Sequence, residues 1–148
     1  MVEPLKVAPD GVVVKVALLH FNDKGQVLFA RSRGQTLAYT LGGKPSHGEQ
    51  FMEALVREVK EESGADLIAD TIRFYKVFED QCYGYVEGTK LLMYCFTGDY
   101  KGTPLPMAEI EELVYLDADD IGRGRTTPMG EKILNHLAEE NLIGPFRE

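Results

Sequence analysis

The chain has 148 residues, 44% hydrophobic and 27% charged, a balance that fits one globular domain and leaves no room for a second. Its formal charge of −8 opposes binding to long nucleic acid, which needs many Lys or Arg contacts to backbone phosphates, but allows a small anion neutralised by a metal and local cations. No apolar run approaches the ~20 residues that span a bilayer, and Met1–Lys6 lacks the apolar core of a secretion signal, so the expectation is no membrane association and a cytoplasmic location.

Val12 to Phe21 is a long β-branched and apolar run, and Asn22-Asp23-Lys24-Gly25 supplies turn chemistry before Gln26 to Ala30, which predicts a β-hairpin. A basic loop, Arg31-Ser32-Arg33-Gly34-Gln35, leads to a short strand over Leu37 to Leu41 and then to Gly42-Gly43. A helix is predicted from Glu49 to about Ser63, with Gly64 as its C-terminal stop. Thr71 to Phe78 alternates as a strand does, and Lys90 to Thr97 has the apolar density of a central one. Leu113 to Leu116 reads as a further strand, Asp117 to Gly124 as a loop, and Glu131 to Leu142 as a C-terminal helix with Ile133, Leu134, Leu137 and Leu142 on its apolar side. Pattern alone therefore supports a mixed α and β class. Cys82 and Cys95 are too few for a disulfide scaffold and lack paired zinc-ligand spacing; they read as a loop thiol and a buried small hydrophobe.

On the Glu49–Ser63 helix, Phe51, Met52, Leu55, Val56 and Val59 gather on one stripe, while Glu58, Glu61 and Glu62 share an adjacent arc. Like charges at that spacing cost roughly 0.2–0.5 kcal/mol per pair, so local stability does not account for them. A hard divalent cation, Mg²⁺ with Mn²⁺ as substitute, accounts for a cluster with oxygen donors alone. The plain alternative is a solvated acidic face balanced by Arg57 and Lys60. Gly42-Gly43 permits a tight turn that can bring the Gly43 carbonyl to the same cation. Arg57 lies one turn from Glu53 and from Glu61, placed to orient carboxylates by charge-assisted hydrogen bonds.

The order Gly43, Glu49, Arg57-Glu58-Val59, Glu61-Glu62, Gly64-Ala65 resembles the signature of the Nudix hydrolase family at every fixed polar or glycine position. Ala65 and Leu41 depart from the usual pattern without replacing a ligand. The likeness extends from the Val12 strand through Tyr39–Lys44 to Glu109–Leu116, so it covers a single domain over residues 1–148 with the signature at 43–65. It implies an α/β/α sandwich with a mixed β-sheet, and hydrolysis of a pyrophosphate linkage in a nucleoside diphosphate joined to another moiety. It also implies that Glu58, Glu61 and Glu62 carry the metal ions and that Arg57 supports them. A further carboxylate often comes from a separate loop in the family; Glu109, Glu111 and Glu112 are the candidates, with Glu112 favoured.

Lys44, Arg31 and Arg33 are the nearest cations for outer phosphate oxygens. Tyr39, Tyr83 and Tyr85 could stack a base, although aromatics beside strands more often pack in cores. His20, His47 and His136 have no nucleophile or ligand partner at recognisable spacing. Nucleoside triphosphates, nucleotide sugars, ADP-ribose and dinucleoside polyphosphates all stay open as substrates. The coenzyme A branch is disfavoured, because Thr36 stands where its later arginine belongs, and Tyr83 gives only a loose hint of the dinucleoside polyphosphate branch. A nucleotide-sensing module without catalysis would fit loss of Glu58, Glu61 or Glu62, and none is lost. An isomerase reusing the fold is a third reading, and many similar single-domain members pair as homodimers.

Overall fold

The computed structural model describes residues 4–146; the ends of the expected domain, including the first three residues of the Met1–Lys6 segment, lie outside that range. Its centre is a four-stranded sheet in the order β3-β1-β6-β5, built from β1 (Val12–Leu19), β3 (Leu41–Gly43), β5 (Arg73–Gln81) and β6 (Lys90–Thr97). β1 runs parallel to β6, whereas β3 and β5 run antiparallel to their neighbours. The sheet is therefore mixed. A ribbon of β2 (Val27–Ser32) and β8 (Ile110–Leu116) and a short pair of β4 (Asp66–Leu67) and β7 (Tyr100–Lys101) flank it.

Alternation along β1 and β6 divides the interior into two cores. Val13, Ala17 and Leu19 face one side with Leu91, Met93 and Cys95, and pack there against Ile133, Leu134 and Leu137 of α2 (Pro128–Glu139). Val16, Leu18 and Phe96 face the other, against Ala54, Leu55 and Val59 of α1 (Phe51–Ser63). One helix on each face makes the α/β/α sandwich. Each fully buried Leu or Ile on these faces contributes about 1.5–3 kcal/mol by leaving water, which is what holds both helices on the sheet.

α1 begins where the Gln50 amide donates to Glu53 Oε1 at 3.0 Å and stops at Gly64, whose φ of 75° suits glycine and whose amide donates to the Lys60 carbonyl at 2.9 Å. α2 starts earlier than expected: Thr127 Oγ1 accepts from the Gly130 amide at 3.2 Å, and Pro128 occupies the first turn, where its missing N–H costs nothing. It also ends earlier, because Asn141 turns the chain at φ 61° and leaves Leu142 exposed while Ile143 is buried in its place.

Several expectations are corrected by packing. The Val12–Phe21 and Gln26–Ala30 segments turn tightly, with the Asn22 amide donating to Gln26 O at 2.9 Å, but do not continue as a hairpin. Beyond the Phe21–Val27 bridge, β1 gives its edges to β3 and β6, and β2 pairs with β8. The strand expected at Leu37–Leu41 is displaced to Leu41–Gly43. β5 is shifted to Arg73–Gln81, while β6 has the expected limits and the expected central place. β8 starts at Ile110, so Glu111 and Glu112 belong to a strand and not to a loop. Cys82 is buried like Cys95, because the turn carrying it folds inward; its amide donates to the Thr89 carbonyl at 2.7 Å.

Candidate active site

The buried stripe of α1 is rotated from the expected one. Glu62 is only 2% exposed, in line with Leu55 and Val59, whereas Met52 is 42% exposed. Tertiary packing thus places a carboxylate on the core-facing stripe, where an uncompensated charge is costly. The Gly42 amide donates to Glu62 Oε1 at 2.9 Å. Even so, burial first, and then the charges of Glu58, Glu109 and Glu61, push the Glu62 carboxyl up to about 8. Glu58 is also raised, mainly by burial and against the lowering effect of Arg57.

The paired glycines explain how backbone reaches this cluster. Gly42 has φ 143°, and a Cβ there would fall 1.9 Å from the Val16 carbonyl oxygen, so no other residue fits. At Gly43 a Cβ would lie 2.7 Å from Glu58 Cδ: the bare α-carbon is what admits the carboxylate. Gly43 and Glu58 are therefore in direct contact across the β3–α1 turn.

Arg57 organises the other acids. Its Nε and Nη2 donate to the two carboxylate oxygens of Glu49 at 2.8 and 2.9 Å, and its Nη1 reaches Glu58 at 3.0 Å and Glu61 at 3.3 Å. Nη2 also donates to the Lys44 carbonyl at 3.3 Å. The bidentate pair, with a hydrogen bond donated by the Ser46 amide, holds Glu49 down at about 2, and Arg57 is raised in turn. The partner is thus Glu49 and not Glu53, which serves the helix start. The helix expected from Glu49 starts only at Phe51, so Glu49 lies ahead of it, where helical spacing does not say which way its carboxylate turns.

The three acids ahead of Leu113 separate. Arg31 pairs with Glu111 at 2.9 Å and Glu112 at 3.3 Å on the β2–β8 ribbon, which engages Arg31 and turns Glu112 to that pair. Glu109 instead acts on Glu58, Glu62 and Tyr39. Its segment is pinned from both sides: Met107 N donates to Glu62 O at 3.1 Å, and Arg33 donates to the Ala108 and Glu109 carbonyls at 3.1 and 2.8 Å. Glu112, the favoured candidate, thus stands beside Arg31, whereas Glu109 lies near enough to Glu58 and Glu62 for its charge to act on them, and Arg33 holds backbone.

Among the described residues no three Asp, Glu, His or Cys side chains already converge on one ion-sized point. Glu58 and Glu61 lean on Arg57, and Glu62 on the Gly42 amide. The donor set nevertheless fits a hard cation. It offers carboxylate oxygens only, one of them buried at a cost that a cation would offset, in a cradle that a Cβ at Gly43 would fill.

Residues 12–137 match the family model of the NUDIX domain. The chain belongs to the Nudix family. Among solved structures, the MutT protein from Methanosarcina mazei Go1 superposes with a TM-score of 0.70 at 21% identity, covering 88% of this chain and 95% of that one. The MutT NUDIX hydrolase from Burkholderia pseudomallei gives 0.68 at 20% identity, covering 84% and 96%. A UDP-X diphosphatase gives 0.66 at 17% identity, covering 95% of this chain and 66% of that one. At these identities the likeness is one of fold. A search of curated proteins found no match.

Beside the glycines of this Nudix domain opens a cavity of about 650 Å³ on the α2 side of the sheet. Gly42, Gly43 and Tyr39 border it, with Lys15 of β1, Lys6 and Tyr83 around the rest. The Tyr39 hydroxyl is hydrogen-bonded to Ser32 Oγ, and Lys44 Nζ lies 2.6 Å from the Tyr85 hydroxyl. Lys15 sits in an apolar strand run and Lys6 well before it, and nothing in the residues next to either shows that the two line one cavity. Of the histidines, His20 Nδ1 lies 3.3 Å from the Gly98 carbonyl and His136 Nε2 3.0 Å from the Tyr75 hydroxyl, and no described contact ties any of the three to the acids. No helix among the described residues is long and apolar enough to cross a membrane.

Proposed function

We propose that this Nudix domain hydrolyses the pyrophosphate linkage of a nucleoside diphosphate joined to another moiety, in a reaction dependent on Mg²⁺, with Mn²⁺ able to replace it. The observation that carries this reading is the burial of Glu62 and the seating of Glu58 on bare Gly43, a glycine that also borders a cavity sized for a nucleotide-type group. The fold shared with a UDP-X diphosphatase is in keeping with it.

Glu58, Glu61, Glu62 and the Gly43 carbonyl would hold the cation, which when bound supplies charge neutralisation at phosphoryl oxygens and acidifies a coordinated water. The chain's own part is positioning. Arg57 fixes Glu49, Glu58 and Glu61 relative to one another, and Gly42 fixes Glu62. The overall reaction adds one water across the P–O–P bridge. The water oxygen bonds to one phosphorus, the bridging oxygen leaves with the other phosphate, and a carboxylate takes the proton released. We assign that last role to Glu109, which stands on the segment that the Met107 amide ties to the Glu62 carbonyl at 3.1 Å and whose charge acts on Glu58 and Glu62. Lys44 follows Gly43 directly and is the cation placed to meet an outer phosphate oxygen.

A panel of nucleoside triphosphates, nucleotide sugars, ADP-ribose and dinucleoside polyphosphates, run with Mg²⁺ and Mn²⁺ and scored for phosphate, pyrophosphate and nucleoside monophosphate, tests the assignment. Glu58→Gln and Glu62→Gln are each expected to lower kcat by at least ~10²-fold with the circular dichroism spectrum unchanged. Glu109→Gln should lose more activity than Glu112→Gln. Equal turnover by wild type and both cluster variants would defeat the proposal, and nucleotide binding without any turnover would favour a sensing module.

A further inference from the structure

The cavity beside Gly42 and Gly43 is built with positive charge in an acidic protein. Lys15 is half-buried on the sheet face that floors it, and Lys6 lies on the N-terminal segment that closes one side. That segment is held in place by Lys6 N donating to the Gly84 carbonyl at 2.9 Å and Val86 N donating to the Lys6 carbonyl at 2.9 Å. Lys44 approaches from the signature loop, and its ammonium and that of Lys6 stand 5.3 and 5.9 Å from the centre of the Tyr85 ring. Two amino groups thus meet at the Tyr85 ring, and Lys15 is near enough to feel both.

Among the described residues none of the ion pairs involves Lys6, Lys15 or Lys44. The cations acting on Lys15 are Lys44 and Lys6. Burial, and the repulsion of the other two lysines, lower Lys15 from the ordinary lysine value. A chain with a net charge of −8 has carboxylates to spare, so two lysines lining one cavity and a third beside it, none in an ion pair among the described residues, call for an anion from outside.

We propose that this cavity binds a phosphate carried by the substrate beyond the scissile linkage, with Lys15 as the residue that selects for it and Lys6 and Lys44 completing the site. This rests on the hydrolase reading for the position of the scissile diphosphate, at Gly43 and Glu58. The extra phosphate is either the terminal one of a longer polyphosphate chain or a monoester on the sugar of the distal group. Both offer the same oxygens to an ammonium, so the recognition chemistry is shared.

Binding is tested with inorganic tripolyphosphate by calorimetry, without divalent metal, on wild type, Lys15→Met and the exposed change Lys6→Gln. Lys15→Met is expected to weaken binding about tenfold or more, and Lys6→Gln to weaken it in the same direction. For turnover, matched pairs separate the sources: a nucleoside triphosphate against its diphosphate, and ADP-ribose with an added sugar phosphate monoester against plain ADP-ribose. In one pair the kcat/KM ratio of the richer to the poorer substrate should fall at least about tenfold in Lys15→Met. Unchanged tripolyphosphate binding in both variants, or unchanged ratios in both pairs, overturns the inference. If wild type turns over neither pair nor any other member of the substrate panel while binding stays dependent on Lys15, the hydrolase reading fails and the anion site stands. If Glu58→Gln abolishes turnover while Lys15→Met leaves every ratio unaltered, the hydrolase stands and the anion site fails.

Discussion

Arg57 shows how one side chain can set the geometry of a cluster it does not belong to. A guanidinium offers donors in a rigid planar fork, and here the fork spans both oxygens of Glu49 while a third nitrogen reaches Glu58 and Glu61. A lysine ammonium is a single point and cannot hold these acids at fixed mutual angles. Arg57→Lys is therefore expected to keep the fold, to lower kcat about 10- to 100-fold and to weaken Mg²⁺ affinity by a similar factor, as loss of a group that orients metal ligands does. Steady-state kinetics beside a metal titration read both, and full activity with unaltered metal affinity would show the fork to be dispensable. Glu62 makes the complementary point. Its side chain is costly where it stands, and the Gly42 amide answers only part of that cost.

At the scale of elements, α1 acts as a positioned rod whose two ends are both fixed. Its start is set by Gln50 and Glu53, and its end by Gly64 in the left-handed region, after which Ser63 and Glu62 carbonyls receive the amides of Leu105 and Met107. The same helix end thus anchors the segment that carries Glu109 toward the acids. Gly64→Ala forces an L residue to φ 75° and is expected to cost about 1–2 kcal/mol. The added Cβ would also sit 2.7 Å from Met107 Sδ, a flexible side-chain atom that can move aside. A urea titration should show the midpoint fall with the slope unchanged; an unaltered midpoint would mean the helix end carries no such constraint.

For the molecule as a whole, the mixed sheet with one helix on each face leaves the β3–α1 turn at the junction of a buried acidic helix and a basic cavity. A cation bound only by the folded state raises stability by mass action, about 2.7 kcal/mol at a hundredfold excess over its Kd. For a chain of 148 residues that corresponds to a Tm rise of about 5–10 °C. Mg²⁺ is expected to produce such a rise in wild type and little or none in the double variant Glu58→Gln, Glu62→Gln, measured by differential scanning calorimetry. The same rise in both would place the cation elsewhere.

What the chain determined by itself was local: the signature from Gly43 to Ala65, the stop at Gly64, the central strand over Lys90–Thr97 and the helix before the C-terminus. These are legible because glycine geometry, helical spacing and dense β-branched or aromatic runs act over neighbouring residues. Tertiary structure alone decided the rest. A tight turn after Phe21 favours a hairpin, yet β1, with both its faces buried, gains more from β3 and β6. Whether Glu109 or Glu112 meets the helix depends on the register of β8 against β2, and a shift of one residue turns a strand side chain to the other face. The gathering of Lys6, Lys15 and Lys44 comes from segments far apart along the chain, brought together only by packing. Neighbouring residues carry no trace of such meetings, because the free energy that enforces them is released only when distant apolar surfaces leave water together.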